Sequence, residues 1–327
     1  MARVVYLAGD PDWLGPSLRS AARGRPYAFL GKDASASALS SALSEAEVLI
    51  ASPGDVLAVR PACPELRFVQ FTSCDYAQNV LAELQAAGVA AASLGAALAA
   101  DLATVAVGLM LALDSAGKVP PKPGDEAWAR LLAGLRGRTV GIIGLGRVGT
   151  AVARVLRPHV GTLVYSDVRT APALITRELG IRRCTQDRLL VDSDLVSLHV
   201  PLTDQSKSAL GRREFALLRP ESILINTSAD ETVDRSALVA ALKEGRLGAY
   251  GSIHLDPGLA SYPNVAMVDP ARLRTPEVAA RVAAWVVANV AYAIDGRTPR
   301  GTVETIGFPK AGDPAFWSSR MAPRAGE

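Results

Sequence analysis

Gly144, Gly146 and Gly149 stand at Gly-x-Gly-x-x-Gly spacing in the run Gly144-Leu145-Gly146-Arg147-Val148-Gly149. The spacing alone is common. Here it follows an apolar run, Val140-Gly141-Ile142-Ile143, and opens a helical pattern. That context suits a diphosphate. The first glycine permits a tight turn, the second lets the backbone approach the anion, and the third lets helix and strand pack closely. Free N–H groups and the dipole at the helix N-terminus favour the negative charge. A second apolar run ends at Tyr165-Ser166-Asp167. A carboxylate there accepts hydrogen bonds from ribose hydroxyls and repels a 2′-phosphate, which favours NAD. Arg169, two residues on, keeps NADP open. The bland alternative is a glycine-rich turn in an ordinary βαβ unit.

The elements that must position these residues alternate strand with helix. Residues 3–8, 47–51, 67–71 and 88–93 read as strands, with helical patterns at 16–22, 35–43 and 77–87. Residues 99–115 read as an apolar helix, followed by a Pro/Gly break at 119–124 and a short amphipathic segment at 128–135. A second series has strands at 139–145, 162–167, 195–200, 222–228 and 247–253, with helices at 148–157, 235–244 and 276–295. Such alternation implies parallel βαβ units. The expected fold is α/β, with two Rossmann-like or flavodoxin-like domains, parallel sheets and a cleft between them. Residues 1–98 with 296–327 are expected to form a substrate (catalytic) domain, and residues 99–295 an NAD-binding Rossmann domain. The helix at 276–295, with Thr275 as N-cap and Pro276 at its first position, is a candidate to return to the first domain. The tail from Phe308 reads as irregular, with Phe316 and Trp317 able to dock it.

Composition narrows the function classes. The chain has 327 residues, 49% hydrophobic and 20% charged, which reads as globular. A formal charge of +3, spread along the chain, predicts neither a nucleic-acid nor a membrane partner. Cys63, Cys74 and Cys184 form neither a disulfide framework nor a metal site, so no metal and a reduced, cytoplasmic setting are expected. The twelve apolar residues from Leu102 to Leu113 are too few to span a bilayer.

Three stretches resemble the D-isomer-specific 2-hydroxyacid dehydrogenases: residues 137–149, residues 193–203 (Ser-Asp-Leu-Val-Ser-Leu-His-Val-Pro-Leu-Thr), and Ile223-Leu-Ile-Asn-Thr-Ser228 continuing through Asp234. The resemblance implies a small-molecule substrate and a homodimer. It places cofactor contacts at His199-Val200-Pro201, at Asn226-Thr227, and at Ser252, where the family has an Asp that holds the nicotinamide amide.

The family's catalytic residues have no counterparts. The resemblance puts its carboxylate-binding Arg at Ala229, followed by Asp230. It puts the Glu at Pro257, beside Asp256, and the acid/base His at Pro270. The substrate loop corresponds to Phe71-Thr72-Ser73-Cys74-Asp75-Tyr76, with Asp75 where a Gly is usual. A second anion beside Asp75 in a poorly solvated cleft costs several kcal/mol. Loss of the Arg removes a bidentate, charge-assisted contact.

Asp230, His254 and Asp256 are the replacement candidates. A His oriented by a carboxylate donates a proton well, and hydride transfer to a carbonyl needs a donor in reach. The plain readings are a helix-start acid for Asp230 and a core or solvent-facing ring for His254. His199 reads as structural. Cys74 has no His nearby in sequence to activate it. Tyr76, Arg272 and Arg274 read as packing or surface residues, and Trp128 as part of a dimer contact.

Three functions fit. The first is a divergent NAD-dependent oxidoreductase acting on an uncharged or cationic carbonyl, alcohol or amine instead of a 2-keto acid. The second is an enzyme that holds NAD without net redox change, as in elimination, epimerisation or cyclisation. The third is a non-catalytic NAD-binding protein.

Overall fold

The computed structural model describes residues 4–9, 11–31, 33–74, 76, 78–114, 135–203 and 205–305. Asp75, the break at 119–124, the Trp128 segment and the tail from Phe308 lie outside them. The chain divides into two compact units, residues 1–98 with 271–306, and residues 99–270 with 307–327.

The first unit contains β1 (Val4–Leu7), α1 (Gly15–Ala21), β2 (Tyr27–Leu30), α2 (Ala36–Leu43), β3 (Val48–Ala51), α3 (Pro53–Val59), β4 (Phe68–Phe71), α4 (Gln78–Ala86) and β5 (Ala90–Ala92). Its parallel sheet has the order β2-β1-β3-β4-β5. Every residue of β1, β3 and β4 is buried. Continuous apolar runs of this kind mark strands covered on both faces. Helix starts are capped by side chains: Ser35 Oγ accepts from the Ala38 N–H and Ser52 Oγ from the Asp55 N–H.

The second unit contains α5 (Ala99–Asp114), β6 (Thr139–Ile143), α6 (Arg147–Leu156), β7 (Thr162–Ser166), α7 (Ala173–Leu179), β8 (Arg182–Arg183), α8 (Gln186–Asp192), β9 (Leu195–Leu198), α9 (Arg212–Phe215), β10 (Ile223–Asn226), α10 (Arg235–Lys243), β11 (Ala249–Ser252) and β12 (Val265–Met267). All its strand pairs are parallel, in the order β12-β11-β10-β9-β6-β7-β8. The central strands match the expected ones. The strands not anticipated, β2, β8 and β12, are sheet edges, short or only partly buried. An edge strand lacks the unbroken apolar run that reveals a central one.

One assignment is corrected. The long helix α11 (Pro276–Ile294) falls inside the residue bounds expected for the second domain, but it packs in the first unit, the return for which it was a candidate. Val282, Ala283, Val286 and Val290 are each 0% exposed and share a core with Val4, Tyr6, Leu14 and Leu18. Among the described residues α11 is the one helix long and apolar enough to cross a membrane. Its apolar face is spent on this core.

A buried polar network secures α11. Asn289 Nδ2 donates to Gln70 Oε1 at 2.7 Å and to the Arg300 carbonyl at 2.9 Å, while the Arg300 N–H donates to Asn289 Oδ1 at 2.6 Å. Gln70 Nε2 donates to the carbonyls of Phe71 and Ala92. Buried polar groups are costly to leave unpaired. Asn289→Ala is expected to lower stability by about 2–4 kcal/mol in urea unfolding. An unchanged midpoint would show that the network contributes little.

Candidate functional site

The second unit's chain order reverses beside β6, with β7 on one side and β9 on the other. Ligands of open parallel sheets bind at such a switch point, beyond the carboxyl ends of the strands. The loop after β6 is the glycine motif, and α6 starts within it, with Gly146 as N-cap and Arg147 as first residue. Gly144 has φ +90°, and a Cβ there would meet the His199 carbonyl oxygen at 2.5 Å. A Cβ on Gly149 would overlap the Gly144 carbonyl oxygen, whereas one on Gly146 would meet nothing within 4 Å. Two glycines are thus required by the protein's own backbone. The third lies exposed in open space at a helix N-terminus, as close approach of a diphosphate requires. Val148 is partly buried and packs against the core.

Asp167 follows β7. Its Oδ2 accepts from the Leu145 N–H at 2.7 Å and its Oδ1 from the Arg169 N–H at 2.8 Å. These bonds hold the carboxylate against the phosphate loop. The residues therefore fit a dinucleotide: the Gly144–Gly149 turn for its diphosphate and Asp167 for its ribose hydroxyls.

The ends of β9, β10 and β11 meet at Ser228. Its N–H donates to Asn226 Oδ1 at 2.8 Å, and its Oγ accepts from the Val200 N–H at 2.8 Å. Its carbonyl accepts from His254 Nε2 at 2.7 Å. His199 Nδ1 lies 2.6 Å from Thr227 Oγ1, while its Nε2 is sealed from solvent without a hydrogen-bond partner. Burial drives the His199 pKa down to about 3, so the ring is neutral at physiological pH. Pro201 contributes its carbonyl, which accepts from Ser206 Oγ at 2.6 Å. Ser252, 1% exposed, accepts the His254 N–H at 3.0 Å.

Beyond β10 and β11 lies a cavity of about 70 Å³ lined by Asp230, Tyr250, Ser252, His254 and Asp256 over an apolar floor. All three proposed acid/base residues, Asp230, His254 and Asp256, line it. The expected His254–Asp256 pairing is absent. Both Asp256 oxygens bind Arg235 instead, at 2.5 and 3.0 Å, and this cation holds the Asp256 carboxyl below its usual range. Asp230 is exposed, and its carboxylate makes no hydrogen bond or ion pair among the described residues. Partial burial raises its pKa, opposed by His254 and reinforced by Glu231 and Asp256. Sequence reasoning missed Tyr250 and Arg235. Tyr250 is buried, its hydroxyl accepts from Asn226 Nδ2 at 3.5 Å, and burial pushes its pKa up. Its signal was a lone large residue among the small ones of Gly248-Ala249-Tyr250-Gly251.

In the first unit, the substrate-loop candidates follow β4. Tyr76 stacks on Phe71 with ring centroids 6.2 Å apart, the Ser73 carbonyl accepts from the Leu94 N–H at 2.9 Å, and Cys74 packs against the core.

Residues 118–256 match the model of the D-isomer specific 2-hydroxyacid dehydrogenase NAD binding domain. That stretch holds the glycine motif, Asp167, His199 and the ends of β10 and β11, so the family likeness lies in the dinucleotide half of the chain. It is 34% identical over 176 residues to a glyoxylate reductase of Aeropyrum pernix, a match spanning 52% of each chain, so it covers about half that relative's length. It is 29% identical over 286 residues to a glyoxylate/hydroxypyruvate reductase B of Yersinia enterocolitica, spanning 81% of this chain and 86% of the relative. A solved structure from Pyrococcus horikoshii shares the fold with TM-score 0.74 at 23% identity, covering 93% of this chain and 95% of the other. The match of residues 118–256 to an NAD binding domain implies a nicotinamide cofactor.

Two measurements follow from this geometry. Asp167→Ala is expected to weaken NAD binding about tenfold or more, given roughly 1.5–3 kcal/mol for a hydrogen bond to a charged group. Unchanged affinity in a calorimetric titration would refute the placement of the ribose. His199 titrates near 6.5 unfolded and near 3 folded, so below pH 6.5 only the unfolded chain gains the proton. Stability should fall as pH drops through that window, with this group contributing up to about 1.4 kcal/mol per unit. Denaturation series at several pH values should show a shallower slope for His199→Asn. An identical slope would show that His199 is not kept neutral by the fold.

Proposed function

We propose that this chain is an NAD-dependent oxidoreductase acting on a substrate other than a plain 2-keto acid, with Asp230 and His254 exchanging the proton. One observation carries the reading. At the end of β10, where the resemblance calls for a cation to hold a substrate carboxylate, Ala229 and a carboxylate without an ion pair, Asp230, stand instead. An anionic substrate would meet repulsion there in place of a bidentate contact.

His254 suits proton exchange. Its Nε2–H is committed to the Ser228 carbonyl, which fixes the tautomer and leaves Nδ1 able to take or give a proton. Asp167 favours NAD over NADP by opposing a 2′-phosphate. The dinucleotide, when bound, supplies or accepts the hydride. The homodimer, the small-molecule substrate and the cytoplasmic setting belong to the same proposal, resting on the family resemblance, the modest charge and the three dispersed cysteines.

A second reading, reduction of glyoxylate or hydroxypyruvate, is favoured by the names of the relatives. Absorbance at 340 nm separates the two. Our reading expects no useful turnover of glyoxylate, hydroxypyruvate or pyruvate with NADH, and turnover of an uncharged or cationic carbonyl, alcohol or amine. Asp230→Asn and His254→Asn should each lower kcat by about 10²–10⁴ on that substrate. Efficient reduction of glyoxylate would overturn the reading. Silence across the whole panel would point to chemistry without net redox change or to a non-catalytic NAD-binding protein.

A further inference from the structure

The cavity beyond β10 and β11 has an unusual balance of hydrogen-bonding groups. Its one basic side chain of fixed charge, Arg235, is consumed by both oxygens of Asp256. The His254 Nε2–H is consumed by Ser228. Two acceptors remain without hydrogen-bond partners among the described residues, the Asp230 carboxylate and His254 Nδ1, close enough that His254 acts on Asp230 electrostatically. Below them lie Val233, Leu238 and Leu259, exposed by 6%, 2% and 4%. The space is about 70 Å³, room for a group of a few non-hydrogen atoms, since one water needs only roughly 10–15 Å³ of it.

The complement of two acceptors, one anionic, above an apolar floor is a positively charged group with several N–H donors on a short hydrocarbon stem. We propose that this cavity receives a primary ammonium group of the substrate, with Asp230 as its counter-ion, His254 Nδ1 as a second acceptor, and the stem resting on Val233, Leu238 and Leu259. An ammonium carries three donors and no acceptor, so it can satisfy both groups at once. A carboxylate ligand would face Asp230 and lacks the donors. A neutral hydroxyl offers one donor and no charge. Glu231 also acts on Asp230, and as a like charge it reinforces the negative potential. The inference rests on the placement of Asp230 and His254 in the reacting site and names the substrate class as amines or amino-substituted carbonyls and alcohols.

The chain has only three histidines, His159, His199 and His254, so imidazole resonances give a direct readout. Full-length protein with NADH is titrated with ethylammonium chloride, using sodium chloride at matched ionic strength as reference, and separately with ethanol and sodium acetate. The His254 signal is assigned by its loss in His254→Asn. The expected result is a saturable His254 shift with ethylammonium, at least about tenfold weaker with ethanol and absent with acetate, the tenfold corresponding to one charge-assisted contact. Asp230→Asn should weaken ethylammonium binding by a similar factor while Asp230→Glu retains it, with the His159 and His199 signals reporting that both variants are folded. A response no different from sodium chloride, equal binding of acetate, or affinity unchanged in Asp230→Asn would overturn the proposal. Hydride transfer to or from a substrate lacking an amine would sink it too, yet leave the oxidoreductase reading standing. Ammonium binding without any absorbance change at 340 nm would uphold the cavity and remove the oxidoreductase reading.

Discussion

Three strand ends of the dinucleotide unit depend on the backbone of one residue, Ser228. Its N–H, side chain and carbonyl bind Asn226, Val200 and His254 in turn, so β9, β10 and β11 are clasped where the sheet opens. Backbone polar groups at the end of a parallel sheet have lost their ladder partners and must find others. The clasp supplies them. In doing so it sets the height of the His199-Val200 turn, whose carbonyl lies against Gly144, and so limits what the phosphate loop can be. It also sets which nitrogen of His254 carries a proton. The cofactor turn and the proposed proton-exchanging ring are therefore held by the same three-residue turn.

The site is polarised in an instructive way. At Gly144–Gly149 and Asp167 the protein presents a helix N-terminus and one carboxylate, which suit a dinucleotide. Beyond β10 the polar groups have changed partners. Arg235 and Asp256 neutralise each other on the rim, and Asp230 is left without a cation. An unpaired carboxylate beside a neutral ion pair makes the mouth of the cavity negative. A site built to hold a carboxylate needs the opposite sign there.

The phosphate loop was legible in the sequence because its requirements are steric. Gly144 and Gly149 cannot carry a Cβ, and that prohibition is written as glycine. The central strands were legible because burial on both faces demands unbroken apolar runs such as those of β1 and β10. The Arg235–Asp256 pair was hidden because its partners lie 21 residues apart and meet only when β10 and β11 pair in register. The expected His254–Asp256 couple failed for the same reason, since nearness in sequence along a loop does not aim two side chains at each other. The allegiance of α11 was legible only as a candidate return to the first domain. Its apolar stripe shows that it packs on something, but which sheet it packs on is decided by the partner surface left uncovered by α1.

That allegiance has a consequence for how the chain is made. Val4, Tyr6, Leu14 and Leu18 share their core with a helix that leaves the ribosome some 270 residues later. Domains generally fold as units during synthesis, the N-terminal one first. Here the order is reversed. The dinucleotide unit, continuous from residue 99 to 270 apart from its tail, has all its strands before α11 emerges. The opening ninety-odd residues must wait with one face of their sheet uncovered, through translation of the whole second sheet. The core that these residues share with α11 cannot close before α11 has been made.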